Sequence, residues 1–134
     1  MYKTILIPVA FGHEEERAVA VARKLLTTGG EIVLLNVVEE IPAYISPYLP
    51  AGTLEKNVAD ALADLKDMAA KAGADCSATV TIGHPGQEIL EQARKHDAEC
   101  IVIASHKPGL EDYFLGSTAA RIVRHAQCCV HVLR

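Results

Sequence analysis

The chain has 134 residues, of which 50% are hydrophobic and 22% are charged, and its formal net charge is −4. This length fits one domain with a sizeable core. The negative charge gives no electrostatic reason to expect nucleic acid or an anionic membrane surface as a partner. The apolar runs are too short for membrane insertion, and the first residues lack the pattern of a signal peptide. We therefore expect a cytoplasmic protein.

The first part of the chain alternates predicted strands and helices. A first strand is expected over Tyr2–Val9, with Pro8 at its carboxyl end because proline lacks a ladder donor. The acidic start and apolar stripe of Glu14–Leu26 predict a helix, which Gly29-Gly30 would end. Glu31–Val38 is apolar enough to be a second, buried strand.

A long irregular segment, Glu39–Gly52, follows the second strand and carries Tyr44 and Tyr48 among three prolines. Segments of this length in a compact domain are often functional. The two tyrosines could cover a bound base or pack on the next helix. Thr53 is expected to cap that helix, whose apolar spacing continues as far as Gly73.

The remaining elements complete a regular alternation. Cys76–Ile82 alternates apolar and polar residues, which predicts an edge strand. A glycine-rich turn leads into a third helix, and Cys100–Ala104 is a short apolar strand buried on both faces. A polar loop then leads to a helix over Ser117–His125 and a last strand over Cys128–Leu133.

This alternation predicts an α/β fold, namely a single doubly wound domain that spans residues 1–134. Its five-stranded parallel sheet has the order 3-2-1-4-5, with helices on both faces. Strands 1 and 4 are then neighbours at the switch point, where ligands bind in such sheets. The tips Pro8-Val9-Ala10 and Ala104-Ser105-His106 flank one crevice there.

Gly116-Ser117-Thr118 opens the last predicted helix, directly after the loop that follows the fourth strand. A strand, a small-residue loop and a helix start direct backbone N–H groups and the positive end of a helix dipole at an anion. Lys107 could add positive charge for a phosphate, and Ser117 is expected to cap the helix. The simpler alternative is a glycine turn and a cap without any ligand.

Catalytic and metal sites are not predicted. His106 could act as a general base, but no nucleophile, acid or metal converges on it, so a hydrolase is the weakest interpretation. His125, Cys128, Cys129 and His131 are close in sequence and invite a zinc interpretation. Strand alternation sends the two cysteines to opposite faces, which argues against a metal. All four cysteines lie in or beside apolar runs, so reduced, buried thiols are expected.

Four stretches carry a likeness to a known family. They are KTILIPV at the start, LLNVVE in the second strand, GHPGQEIL at the third helix, and IVIASHK followed by LGSTAARIVRHAQCCVHVLR near the end. On these stretches the whole chain resembles the universal stress protein family. The resemblance implies a cytoplasmic, usually dimeric regulatory or signalling protein, which in many members binds ATP or AMP in the switch-point crevice.

The family's nucleotide pattern is glycine, two residues, glycine, nine residues, glycine, and then serine or threonine. Gly116-Ser117 matches the final pair, whereas Ala104 and Lys107 stand at the first two glycine positions and eight residues separate Lys107 from Gly116. Ala10 stands where many ATP-binding members carry an acidic residue for the ribose. The His-Lys-Pro loop before Leu-Gly-Ser resembles one branch of the family, including members that bind nucleotide.

The crevice and the resemblance together give a candidate site for ATP or AMP, with Mg²⁺ as an optional companion. The end of the second strand would receive the adenine, and the loop and last helix would surround the phosphates. The candidate residues are Pro8, Val9, Ala10, Val37, Val38, Ala104, Ser105, His106, Lys107, Gly109, Gly116, Ser117 and Thr118. The alternative function is a nucleotide-free dimeric adaptor of the same family, and in both cases the regulated partner protein is unknown.

The last strand is expected at an edge of the sheet, where one row of its backbone groups lacks a partner. Its sequence, CCVHVL, contains neither proline nor lysine to discourage pairing. Antiparallel pairing with a second copy across a twofold axis would close this edge, and the resemblance implies the same dimer. We therefore expect a homodimer with Cys128, Val130 and Val132 at the interface.

Overall fold

A computed structural model of the chain describes residues 1–12, 14–105 and 115–134. Its strands are β1 (Tyr2–Pro8), β2 (Leu26–Val38), β3 (Cys76–Ile82), β4 (Cys100–Ala104) and β5 (Cys129–Leu133). Its helices are α1 (Glu15–Leu25), α2 (Thr53–Ala72), α3 (Pro85–Lys95) and α4 (Ser117–His125). All strand pairs are parallel, and the sheet has the order β3-β2-β1-β4-β5. The predicted fold class and strand order are confirmed.

Two apolar clusters cover the two faces of the sheet. On one face Ala22 of α1 and Leu65 of α2 pack in the same cluster as Ile5. On the other face Ile122 of α4 packs in the same cluster as Leu6. Since successive residues of a strand point to opposite faces, the unbroken apolar run of β1 serves both clusters. Helices therefore cover both sides of the sheet, as predicted.

Gly29 and Gly30 lie inside β2, so the predicted glycine stop after α1 is wrong. Leu26 is already extended, with φ −81° and ψ 135°. The β1–β2 ladder shifts register here, and residues 27–30 stand opposite Lys3 alone. Gly30 allows this bulge because a Cβ at that position would lie 2.7 Å from the carbonyl oxygen of Lys3. The two glycines accommodate an irregular strand and do not end a helix.

Both predicted side-chain helix caps are wrong by one position. Thr53 is the first residue of α2, after Gly52, and its hydroxyl donates a hydrogen bond to the Pro50 carbonyl at 2.6 Å. Ser117 is likewise the first residue of α4, and Gly116 occupies the cap position. Glycine has no side chain to accept a hydrogen bond from the first turn. The start of α4 is therefore left without a cap from its own cap residue.

The other element boundaries agree closely with expectation. β1 and β5 are each one residue shorter than predicted, because Val9 and Cys128 lie outside them, and α1 is one residue shorter at each end. The alternating strand β3 lies at a sheet edge, as its pattern indicated. No helix in the described part of the chain combines the length and the apolar character needed to cross a lipid bilayer.

Candidate functional site at the switch point

The predicted crevice lies where β4 separates from β1. The ladder between these strands ends at Leu6↔Ile101 after two residue pairs. By contrast, β1 stays paired with β2 as far as Pro8, and β4 stays paired with β5 as far as Ala104. The strand order reverses at this point, which is where doubly wound sheets bind ligands. The predicted neighbourhood of strands 1 and 4 is confirmed.

The β1 side of the crevice is held by two hydrogen bonds at Val9. Its N–H donates to the Leu35 carbonyl at 2.7 Å, and the Asn36 side-chain amide donates to the Val9 carbonyl at 2.8 Å. Val9 is only 5% exposed, whereas Ala10, the next residue, is exposed. The backbone is therefore fixed up to Val9, and Ala10 is the first residue that faces solvent.

The end of β2 presents one residue to the crevice and turns the next away from it. The Val38 carbonyl accepts a hydrogen bond from the Gly83 N–H at 3.0 Å, so its backbone faces β3. Adjacent residues of a strand direct their backbone groups to alternate sides. Val37 therefore directs its N–H and C=O toward the crevice, on the same side as the Leu35 carbonyl that Val9 uses. Of the two residues predicted to meet an adenine, Val37 has the suitable backbone.

Ser105 joins the end of β4 to the start of α4. Its side chain is buried, with a relative exposure of 2%, and its N–H donates to the Leu133 carbonyl at 2.9 Å. Its carbonyl accepts a hydrogen bond from the Gly116 N–H at 2.6 Å. This second bond places the beginning of α4 directly beside the carboxyl end of β4. By strand alternation, Ala104 directs its backbone groups toward β1 and the crevice.

The first turn of α4 provides backbone donors. The Ala120 N–H donates to the Gly116 carbonyl at 2.8 Å and is the first donor that can bond inside the helix. The N–H groups of Ser117, Thr118 and Ala119 have no acceptor within α4. Together with the helix dipole, they form the kind of helix start that binds anions. The predicted start of α4 at Ser117 is confirmed, although the cap was assigned to the wrong residue.

Three of the predicted site residues, His106, Lys107 and Gly109, lie outside the described residues. Their assignments remain predictions from the sequence. The described members of the set divide between the rim of β1, the end of β2, the end of β4 and the start of α4. These four places surround one carboxyl-terminal edge of the sheet.

Acidic residues begin α1, which follows the tip of β1. Glu15 and Glu16 lie in its first turn, and Glu14 precedes it with a left-handed φ of 55°. Arg17 forms an ion pair with Glu14 at 2.8 Å and donates to the Arg134 carbonyl at 2.9 Å. This arginine ties α1 to the end of the chain, and the sequence analysis did not anticipate it.

The cysteines lie in different environments, so the expectation of buried thiols holds only in part. Cys100 is buried, and burial raises the pKa of its thiol to about 11. Cys129 is exposed, and a hydrogen bond with it raises the pKa of Tyr2 to about 12. Cys128 packs on the face of the sheet opposite to that of Cys100. Among the described residues, no group of three or more His, Cys, Asp or Glu could hold a metal ion.

A separate groove of about 660 Å³ lies between α3 and α4, and residues Ala98 and Cys128 near the amino ends of the strands line part of it. Its charged lining residues include Glu91 and Asp97 as well as Arg121. This mixture of charges does not favour an anion. The helix start at the crevice is therefore the better candidate for a phosphate.

Tyr44 and Tyr48 are both largely exposed to solvent. Their side chains are 77% and 87% exposed. A side chain packed on α2 would be largely buried, so that interpretation is wrong for both residues. Both tyrosines lie in the segment between β2 and α2, and Tyr48 ends a single 3₁₀ turn over Ser46–Tyr48.

Together, the strand order and the helix start at the switch point define a doubly wound α/β protein. The sequence profile of the Universal stress protein family matches residues 1–134. The chain belongs to this family.

Known relatives agree with this assignment. A universal stress protein of Methanocaldococcus jannaschii is 31% identical over 144 aligned residues, which cover 100% of this chain and 83% of the relative. The crystal structure of the hypothetical protein PH0823 is similar over 99% of this chain and 96% of that one, with 24% identity and a TM-score of 0.78. A universal stress protein solved in complex with cAMP shares the fold, with 18% identity, a TM-score of 0.72, and coverage of 99% of this chain and 97% of that one.

Proposed function

We propose that this protein binds an adenine nucleotide, ATP or AMP, in the switch-point crevice and acts as a regulatory or signalling protein. The phosphates would contact the first turn of α4, and the adenine would lie against the backbone of Val37. Lys107 and Gly109 belong to the proposed phosphate loop, and Mg²⁺ would accompany ATP. A second protein would sense the nucleotide-bound state.

The observation that carries this proposal is the hydrogen bond between the Gly116 N–H and the Ser105 carbonyl. It holds the uncapped start of α4 against the end of β4, at the place where β4 leaves β1. Backbone donors and the positive end of the helix dipole would then be available to an anion in the crevice. The universal stress protein solved with cAMP supports an adenine nucleotide as the ligand class.

Calorimetry with the purified protein tests the proposal. We expect AMP or ATP with Mg²⁺ to bind with a micromolar dissociation constant, which corresponds to about −8 kcal/mol. Freshly purified protein, once denatured, should also release adenine nucleotide. No heat and no thermal shift at millimolar nucleotide would contradict the proposal.

Two variants of the α4 start separate binding from folding. Gly116→Val should abolish binding because a side chain would intrude where the backbone approaches phosphate. Ser117→Asp adds a negative charge that favours the helix dipole but repels a phosphate, so it should keep the fold and lose the nucleotide. Ala120→Val, one turn later on α4, is the matched control and should bind normally.

A nucleotide-free adaptor is the second candidate function. Ala10 and Lys107 favour it, because both depart from the family's nucleotide pattern described above, whereas the intact Gly116-Ser117 favours the nucleotide. This candidate predicts that the unmodified protein assembles and binds its partner equally well with and without nucleotide.

We also propose that the protein is not an enzyme, except for slow hydrolysis of bound ATP, and that it acts in the cytoplasm, as the family resemblance implies. Prolonged incubation with ATP should release phosphate far more slowly than a typical enzyme turns over, which is about 10 per second. Rapid turnover would contradict this part of the proposal.

The proposal includes a homodimer formed through β5. The Cys129 N–H donates to the Glu99 carbonyl at 3.2 Å, and the Leu133 carbonyl accepts from Ser105. Both backbone groups therefore face β4, and by alternation those of Val130 and Val132 face outward at the open edge of the sheet. These outward groups would pair with the same strand of a second copy.

A further inference from the structure

A second surface lies at the carboxyl ends of β2 and β3, beside the start of α2. We call it the β2–α2 patch and define it by the exposed or half-exposed apolar residues Ile41, Tyr44, Ile45, Tyr48, Leu49 and Ile82. Besides the two tyrosines, Ile45 and Leu49 are each 38% exposed and Ile82 is 42% exposed. Exposed apolar groups that are concentrated in one region mark interaction sites more often than isolated ones do.

The patch contains a groove that is already formed. The groove has a volume of about 640 Å³, and Ile41, Leu49, Leu54 and Ile82 are among the residues that line it. Two turn hydrogen bonds hold the segment above it: the Ile45 N–H donates to Pro42 at 3.0 Å, and the Leu49 N–H donates to Ser46 at 3.2 Å. A preformed groove costs little conformational entropy when it receives a partner.

The charged residues that line the groove have one sign. They are Glu40 and Glu55, which are both acidic, and Glu39 beside Glu40 is exposed as well. Carboxylates at the rim of an apolar surface favour partners with positive charge and disfavour negatively charged ones. Tyr44 and Tyr48 are of a residue type that contributes strongly at protein interfaces.

We propose that the β2–α2 patch binds a basic segment of another protein, one that carries large apolar side chains between lysines or arginines. The apolar side chains enter the groove, and the cations face Glu39, Glu40 and Glu55. Ile82 lies at the end of the edge strand β3, whose outer side has no neighbouring strand among the residues that the structure describes. An extended segment can therefore approach the groove along that edge. None of the residues that define this patch is among the candidate nucleotide-site residues.

A fluorescent synthetic heptapeptide, Gly-Lys-Leu-Lys-Leu-Lys-Gly, is a suitable probe. Fluorescence anisotropy with the full chain should show saturable binding. The double variant Tyr44→Ser/Tyr48→Ser should weaken it at least about tenfold, as loss of a hot spot does. Val123→Ser is the matched control, because Val123 is 48% exposed but lies on α4. It should change the affinity by less than about twofold.

Charge is tested separately from apolar contact. Glu40→Gln should weaken the probe several-fold, whereas Asp64→Asn, which removes the same charge from an exposed position on α2, should not. A probe with serines in place of its leucines, and one with glutamates in place of its lysines, should both bind at least about tenfold more weakly.

Several outcomes would overturn the inference. These are no binding of the probe by the unmodified protein, equal losses with Val123→Ser and the tyrosine double variant, or equal binding of the serine probe. If sedimentation shows that the tyrosine variant dissociates an assembly of the unmodified chain, the occupant of the patch is a second copy. That result would also overturn the proposal.

Discussion

Ala10 is the residue at which the proposed nucleotide site departs most clearly from its family's pattern. It is exposed and directly follows Val9, whose backbone is fixed on both sides. Ala10→Asp should tighten nucleotide binding if a carboxylate there meets the ribose hydroxyls. A hydrogen bond to a charged acceptor contributes about 1.5–3 kcal/mol, and repulsion from the phosphates reduces this gain.

Calorimetry would measure the effect, with an expected gain of about fivefold in affinity. Ala20→Asp is the control, since it adds the same charge at an exposed position on α1. Unchanged or weaker binding by Ala10→Asp would show that this protein places the ribose differently.

Arg23 and Asp75 form the best-defined ion pair among the described residues. Two parallel contacts of 2.9 and 2.8 Å join the guanidinium to the carboxylate, and the arginine also donates to the Ala72 carbonyl. The guanidinium lowers the pKa of Asp75 below its ordinary value of 3.8. Because a depressed carboxyl pKa stabilises the charged, folded form, this contribution is complete at neutral pH and is lost as the pH falls through the pKa of Asp75.

Asp75→Asn should therefore lower the free energy of unfolding at pH 7 by about 1 kcal/mol, since both side chains are about one third exposed and solvent screens the pair. Urea unfolding at pH 7 and again near pH 3 would measure the difference between variant and parent. The difference should shrink in acid. A constant difference across this range would mean that Asp75 acts through packing and not through its charge.

At the level of whole elements, the bulge in β2 is the feature that differs most from the sequence-based prediction, which placed the end of a helix there. Gly30→Ala should lower the free energy of unfolding by about 2 kcal/mol, because the new Cβ meets the Lys3 carbonyl and the Leu26 side chain. Gly29→Asn is the control. Gly29 has a φ of +80° and open space around it, and asparagine tolerates this conformation. Equal losses for both variants in urea unfolding would contradict the role given to Gly30.

The sequence predicted the elements well because their signals are local. The apolar run of β4 and the helical spacing of α2 depend on periodicity, and the edge position of β3 follows from its alternation. The bulge depends on contacts between Gly30 and Lys3, which are distant in sequence, so a glycine pair after a helix was interpreted as its end. The two cap predictions were wrong for a related reason. Gly52 and Gly116 occupy the cap positions, and each directly precedes the hydroxyl residue that was predicted to be the cap.

The candidate site could be predicted only at the level of strand tips. Alternate residues of a strand direct their backbone groups to opposite neighbouring strands. Which of them face the crevice depends on the register of the strand pairing. The distinction between Val37 and Val38 therefore required the Gly83–Val38 hydrogen bond. In the same way, the exposure of Tyr44 and Tyr48 depends on the fold of residues 39–52, for which no periodic signal exists.

For the whole molecule, the proposed dimer interface can be tested separately from the stability of the fold. Val130 directs its N–H outward, so Val130→Pro removes a donor from the open edge and leaves the β4–β5 ladder intact. This variant should be a folded monomer. His131→Pro would remove a donor that faces β4 and should destabilise the fold itself.

Sedimentation would distinguish the 14.4 kDa chain from a particle of twice that mass. We expect the unmodified protein to sediment as the larger species at micromolar concentration. A monomeric parent, or a Val130→Pro variant that remains dimeric, would show that β5 is not the interface.

The contrast between Cys129 and Cys100 gives the protein a built-in chemical reporter. Cys129 is exposed at the first position of the edge strand, while Cys100, its partner in the β4–β5 ladder, is buried. A thiol-reactive dye should therefore label native protein at Cys129 well before Cys100. Pairing of β5 with a second copy would slow that labelling. The rate at Cys129, separated by peptide mapping from that at the half-exposed Cys76 and Cys128, therefore reports over a dilution series how much of the edge is covered. The unmodified chain can thus reveal its own state of assembly without any substitution.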